Sequence, residues 1–148
     1  MQLLYQLLSW KVHQALIRAK LEPFLGFLHS TAKRKPSLIC DFMELYRYVV
    51  DDFLILYCRN LKKENFVVKT ESLSNRKNGK RKYLDEHHTS SMAKTLNEYF
   101  LKKVEIPRIR YGTSQEIETL MNEEALLLAK YLRSESQSWI PRIASLIQ

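Results

Sequence analysis

The sequence predicts a mainly α fold, a helical bundle-like domain with a small β-hairpin insertion around residues 66–84. Three observations predict it. The chain has 148 residues but only 3 Gly and 4 Pro, too few for a turn-rich β fold. Apolar residues recur at steps of three and four in four separate segments, the spacing of one buried helix face. Between the second and third segments, residues 61–88 are polar and irregular, and they contain two strand-like runs, FVVKTESLS and GKRKYL. The length suits one domain, 1–148, with a sizeable core.

The elements follow in order. Leu4, Leu8, Val12, Ala15, Leu16 and Ala19 fall on one face of a first helix, which Pro23 and Gly26 should end. The loop STAKRKPS comes next, and Pro36 disfavours helix at Lys35. Ser37 is placed to cap a helix running to about Cys58. Its apolar stripe is Ile39, Phe42, Met43, Tyr46, Val49, Val50, Phe53 and Tyr57. Asp41, Glu44, Arg47 and Asp51 recur on the other side.

Asn78-Gly79 marks a tight hairpin turn between the two strands. Thr89, Ser90 or Ser91 should then cap a helix with Met92, Leu96, Phe100 and Val104 in register. The segment IPRIRYG breaks the chain again. Thr113 and Glu116 give a T-x-x-E capping box. The helix after it should bury Ile117, Leu120, Met121, Leu128, Tyr131 and Leu132, and a short final helix starts at Pro141. There is no internal repeat and no low-complexity tract.

Charge and composition narrow the function classes. Lys and Arg number 24 against 16 Asp and Glu, a formal net charge of +8. That favours a polyanionic partner such as nucleic acid, although an acidic membrane surface would attract it too. A hydrophobic share of 45% excludes a disordered basic tail. No apolar run is long enough to span a bilayer. Cys40 and Cys58 lack CxxC spacing, so they suit a reducing compartment and form no zinc cluster. The start, MQLLYQLLSWKVHQALIRAK, lacks the basic opening and small-residue cleavage site of a signal peptide. A cytoplasmic location is expected.

The stretch GFLHSTAKRKPSLICDFMELYR, residues 26–47, carries the chemistry. Asp41 and Glu44 are three apart, so they share a helix face. Alone, such a pair reads as solvated surface carboxylates. With His29 it reads as a mixed nitrogen–oxygen site for Mn²⁺ or Mg²⁺. The basic loop Lys33, Arg34 and Lys35 would bring a phosphate to that ion. The metal reading expects the His29 ring within about 4–6 Å of the Glu44 or Asp41 carboxylate.

Other basic residues read either as phosphate contacts or as solvated surface: Arg76, Lys77, Lys80, Arg81 and Lys82 near the hairpin tip, and Arg108, Arg110 and Arg142. His87-His88 is either a chelating pair or a hydrated one. Trp10 and Trp139 either stack on bases or anchor the core.

LEPFLGFLHS followed by KPSLICDFMELYR resembles the core motif of the CRISPR-associated integrase family, the large catalytic subunit of spacer acquisition. Gly26, Phe27, Leu28, His29, Asp41, Glu44 and Arg47 match its pattern in order. GKRKYL, VEIPRIRYG and EEALLLAKYLRSESQSWIPRI are similar to the C-terminal part of archaeal members.

The resemblance implies a helical C-terminal catalytic domain and metal-dependent strand transfer. A 3′-hydroxyl of a short duplex would attack a phosphodiester of the CRISPR array, and the same site would hydrolyse branched DNA. It implies His29 and Glu44 as metal ligands, Asp41 as an acidic neighbour and Arg47 on the DNA-facing side. The implied partners are double-stranded and branched DNA, a second copy in a homodimer, and the small ferredoxin-like CRISPR adaptation subunit. The family's third ligand is a glutamate on an earlier helix, behind an N-terminal β domain, and Glu22 does not match it. The expectation is a fragment without that glutamate, doubtfully active by itself. Two other readings stand beside it: a non-catalytic basic helical DNA-binding module, and an interaction domain for an acidic protein.

Overall fold

A computed structural model describes residues 2–28, 36–74, 77–105 and 114–142. The first helix, α1 (Gln2–Arg18), buries Leu4, Leu8, Val12, Ala15 and Leu16, as the periodicity requires. It is the central helix. The four others, α2 (Ser37–Met43), α3 (Arg47–Cys58), α4 (Glu86–Phe100) and α5 (Ile117–Leu132), all pack on it.

α1 ends ahead of Pro23 through its own backbone. Lys20 takes a left-handed conformation (φ 59°), Lys20 N–H bonds to Ile17 O at 2.9 Å, and Leu21 N–H bonds to Leu16 O at 3.0 Å. This pairing closes the last carbonyls of a helix.

The single helix expected over 37–58 is two helices. A tight 3₁₀ turn, Glu44–Tyr46, separates α2 from α3. Tyr46 sits at φ −125° and ψ 4°, which interrupts the regular ladder. Ile39, Phe42, Tyr46, Val49, Val50 and Phe53 are buried as expected, with Met43 and Tyr57 half-buried, and Leu38 is buried as well. Asp41 departs from the pattern. It is 4% exposed, not on the solvated side with Glu44.

The hairpin pairs β1 (Phe66–Ser74) with β2 (Lys77–Leu84) in antiparallel register, from Phe66↔Leu84 to Ser74↔Lys77. Asn78 and Gly79 are not its turn. They lie inside β2, opposite Ser72 and Glu71, and residues 75–76 lie outside the described residues.

α4 starts earlier than its serines suggested. Asp85 is the N-cap, and its side chain accepts from His88 N–H at 2.7 Å. Val104 is buried, but in β3 (Lys103–Glu105), which pairs with β4 (Ser114–Glu116). Glu116 itself is the N-cap of α5 and makes no side-chain capping bond, and Thr113 lies outside the described residues. α5 buries Ile117, Leu120, Met121 and Leu128, while Tyr131 and Leu132 stay exposed. Pro141 and Arg142 are not helical, and the rest of the expected final helix lies outside the described residues.

Among the described residues no helix is long and apolar enough to cross a membrane.

Candidate active site

The loop after α1 is built onto the start of α2. Leu38 N–H donates to Pro23 O at 3.0 Å. The Ser37 hydroxyl accepts from Gly26 N–H at 2.8 Å and donates to Phe24 O at 2.7 Å. Ser37 therefore makes no cap bond to its own helix, whose N-cap is Pro36. It fastens the preceding loop instead.

Asp41 completes the fastening. Its Oδ2 accepts from Phe27 N–H at 2.6 Å and from Leu28 N–H at 3.0 Å. A buried carboxylate requires such donors, because an unpaired charge away from water is costly. Gly26 is forced by the same closeness. A Cβ there would stand 2.6 Å from Asp41 Oδ2, 2.6 Å from the Ser37 carbonyl carbon and 2.7 Å from Ser37 Cβ. The Gly-Phe-Leu stretch is thus a backbone clamp on α2, and His29 is the next residue. His29, Lys33 and Arg34 lie outside the described residues.

Glu44 stands on the outer side. Side chains three apart in a 3₁₀ turn nearly eclipse, and Arg47 lies over Glu44 accordingly. Its Nη1 donates to Glu44 Oε1 at 3.0 Å and Oε2 at 3.3 Å. The Glu44 carboxylate holds the Arg47 guanidinium above its ordinary pKa. The guanidinium also sits 5.3 Å from the centre of the Tyr5 ring. Tyr5 donates to Asp51 Oδ1 at 2.5 Å, and that bond raises the phenol's pKa. Tyr5, Cys40, Met43, Glu44 and Arg47 line a small pocket of about 180 Å³.

Behind Glu44 the support is buried. Tyr46 is 1% exposed, and burial raises its pKa strongly, with Glu124 adding to the shift. Glu124 is fully buried in α5. It is held by Arg142 Nε and by Trp139 Nε1 at 3.2 Å, and Arg142 reaches Glu123 at 3.3 Å. Trp139 is therefore an anchor. Trp10, by contrast, is 61% exposed. A charged residue inside an apolar helix face, with a Trp and an Arg downstream, was the sequence signal for this network, and periodicity alone passed over it.

Asp85, His87 and His88 bring three ligand-type atoms within 4.8 Å of one another. Their bonding is that of a joint. Asn65 Oδ1 accepts from Lys62 N–H at 2.7 Å, so its amide nitrogen faces His88 Nε2 at 3.1 Å. Nε2 is then the acceptor, and Nδ1–H points at Asp85, 2.8 Å from Oδ2. Metal binding at Nδ1 would move the proton to Nε2 and set it against the Asn65 amine. The cluster ties the two ends of the hairpin to α4.

Lys80 and Arg81 are both exposed on β2. Arg81 lies 3.7 Å from Glu71 across the hairpin. Arg108 and Arg110 lie outside the described residues.

The family model described as CRISPR associated protein Cas1 matches residues 1–89, more than half of the chain. The protein belongs to the Cas1 family. The matched span contains Gly26, Asp41, Glu44 and Arg47, and also the whole β1–β2 hairpin.

The chain is similar to CRISPR-associated endonuclease Cas1 1 of Chlorobaculum tepidum, 29% identical over 145 residues. Those residues are 93% of this chain and 38% of that protein. It is also similar to CRISPR-associated endonuclease Cas1 of Korarchaeum cryptofilum, 40% identical over 57 residues, which are 38% of this chain and 17% of that one. The chain thus spans well under half the length of these Cas1 relatives. Among solved structures, a casposase bound to integration product shares the fold, with a TM-score of 0.73 at 22% identity, over 91% of this chain and 35% of that one.

Proposed function

We propose that this chain, as a single helical domain, is the catalytic part of a Cas1 integrase/endonuclease that inserts spacers into CRISPR arrays, and that His29 and Glu44 hold Mn²⁺ or Mg²⁺. One observation carries the reading. Asp41 pins Phe27 and Leu28 to α2 immediately before His29, in the same segment that presents Glu44 to solvent. Family membership and the basic balance of the sequence support it.

The donor set suits a hard divalent ion. Glu44 offers an exposed oxygen donor at the rim of a pocket, and a histidine adds one nitrogen. An ion held by His29 and Glu44 would supply the positive charge that offsets the charge developing on the attacked phosphate and on the leaving oxygen. Arg47 must swing from Glu44 as the site fills, which releases its guanidinium to a DNA phosphate. Lys33, Arg34, Lys80, Arg81, Arg108 and Arg110 are assigned to further phosphates. In the reaction a 3′-hydroxyl oxygen bonds to phosphorus and loses its proton. The old ester bond breaks, and its oxygen leaves with a proton. Water in place of the hydroxyl gives hydrolysis of branched DNA.

Asp41 lies beside the site and acts through the loop backbone. The two matched ligands leave much of an ion's coordination to water. The third ligand is assigned to a glutamate in the part of the relatives' length that this chain does not span. A second copy of the chain and a small ferredoxin-like subunit are the proposed protein partners.

The test incubates branched duplex DNA and Mn²⁺ with residues 1–148, alone and together with the upstream Cas1 portion bearing that glutamate. Cleavage is expected only in the combination, and Glu44→Ala and His29→Ala should each abolish it. Robust cleavage by 1–148 alone would refute the missing-ligand part. Cleavage indifferent to both residues would refute the site. The alternative of a non-catalytic DNA-binding module draws on the Glu44–Arg47 pair, which already satisfies the carboxylate. It expects DNA binding with no cleavage in either mixture.

A further inference from the structure

Lys80 and Arg81, adjacent in sequence, belong to opposite faces of the hairpin. Successive strand residues alternate sides, and directly paired residues share a side. The pairs Phe66↔Leu84, Val68↔Lys82 and Thr70↔Lys80 make one face. The pairs Val67↔Tyr83, Lys69↔Arg81 and Glu71↔Gly79 make the other. On the second face Glu71 offsets Arg81 at 3.7 Å. The first face carries Lys80 and Lys82 and, over these pairs, no carboxylate.

At its root the first face meets the turn after α3. Leu61, Lys62, Lys63, Phe66, Val68 and Lys82 line a groove of about 550 Å³. Three of the six are lysines, and no acidic residue is among them. Two of its apolar members are open to solvent, Phe66 at 40% and Val68 at 58% exposed, and Leu61 is half-buried. The groove's wall is fixed in place, because Asp85 N–H donates to Asn65 O at 2.9 Å and Asn65 bonds to His88.

We propose that this groove binds single-stranded DNA, with Lys62, Lys63 and Lys82 on successive phosphates and Phe66 stacked on a base. The proposal rests on the DNA-directed function above. A lysine rim with no acidic residue lining the groove suits the phosphate backbone. The apolar floor distinguishes single strand from duplex, because only unpaired bases present their faces for stacking on an aromatic ring. Lys80, further along the same face, extends the track toward the hairpin tip.

The test uses residues 1–148 in EDTA, which removes any metal-mediated contact at Glu44. Fluorescence anisotropy follows a labelled oligothymidylate of about twelve nucleotides, within the span of known single-strand sites, and a duplex of equal length. The double variant Lys62→Gln/Lys82→Gln should lose about tenfold in oligothymidylate affinity at low salt, and less for duplex. The salt slope should become shallower by about 1.4, near 0.7 for each phosphate that is no longer neutralised. Phe66→Leu, which keeps apolar bulk without the ring, should weaken binding about fivefold or more, and Phe66→Trp should retain it. Lys69→Gln removes one charge from the opposite face, the match for Lys82→Gln alone, and should change affinity less than about twofold.

A loss equal for Lys69→Gln and Lys82→Gln would overturn the proposal, since net charge alone would explain it. So would binding indifferent to Phe66→Leu, or tighter binding of a poly-glutamate peptide, which would assign the groove to an acidic protein. Binding of both DNAs that ignores Lys62, Lys82 and Phe66 sinks the groove and leaves the DNA-directed function standing. Failure of the unmodified chain to bind either DNA sinks both.

Discussion

Phe27 donates its backbone N–H to Asp41 Oδ2 at 2.6 Å, across fourteen residues of sequence. This bond, with the neighbouring one from Leu28, joins the two halves of the Gly-Phe-Leu-His…Asp-x-x-Glu motif. The helix that follows the basic loop thereby dictates where the chain stands as it enters that loop at His29.

Asp41→Ala removes a buried acceptor from two N–H groups. A loss of about 3 kcal/mol is expected, from charge-assisted bonds and the donors left unpaired. Asp41→Asn keeps one oxygen in place and should cost about 1 kcal/mol. Urea unfolding of the two variants measures the difference. Equal losses would show that the charge, not the acceptor geometry, is what the loop requires.

Gly26→Ala should destabilise by about 1–3 kcal/mol, the range for a group forced into filled space. The obstacle includes the Ser37 carbonyl carbon at 2.6 Å, so relief needs movement of backbone. Thermal unfolding tests it. A neutral outcome would mean that the loop stands further from α2 than described.

Glu124→Ala strands Arg142 and the Trp139 N–H. Breaking a buried pair from one side costs about 3–5 kcal/mol, with the lower end expected because the Arg142 side chain is 19% exposed. Tyr46→Phe behaves oppositely. Its hydroxyl is buried without a hydrogen-bond partner among the described residues, so its removal should be neutral or stabilising by about 1 kcal/mol. Chemical denaturation of both variants checks the contrast.

Asp85 provides the pH dependence. The His88 backbone N–H, and then its ring, hold the Asp85 carboxyl below its ordinary value of 3.8. A carboxylate depressed in the folded state adds stability above its unfolded pKa, and that stability is lost as the pH falls through the folded one. Asparagine also caps helices but does not titrate. Wild type should therefore melt higher than Asp85→Asn at pH 7, and the gap should close as the pH drops below about 4. A gap constant with pH would remove the charge from the account of this cap.

Much of the fold was legible because burial and helical period coincide. Every apolar residue assigned to α1 is buried, and the hairpin occupies 66–84 as its two strand-like runs require. The errors share a cause. Ser37 and Asp41 are small polar residues whose bonds run to backbone distant in sequence, and local rules give such residues a cap or a solvent face. Asp41 shows it best: an acidic residue on a helix reads as exposed until the loop that needs its oxygen is in place. Asn78-Gly79 failed for a similar reason. The dipeptide favours a turn, but the register of β1 against β2 extends past it. In the site, the order and spacing of Gly26, Asp41, Glu44 and Arg47 were readable. The division of labour was not, with Asp41 clamping the loop and Glu44 facing outward beside Arg47.

The most direct measurement of the central claim is Mn²⁺ titration of residues 1–148, followed by the fall in the free-ion paramagnetic resonance signal. Weak binding is expected for the unmodified chain, because two ligands hold a divalent ion poorly. His29→Ala and Glu44→Ala should each abolish it. Asp41→Asn should weaken it less, since it loosens the loop without removing a ligand. Mn²⁺ binding that persists unchanged in both His29→Ala and Glu44→Ala would contradict the account.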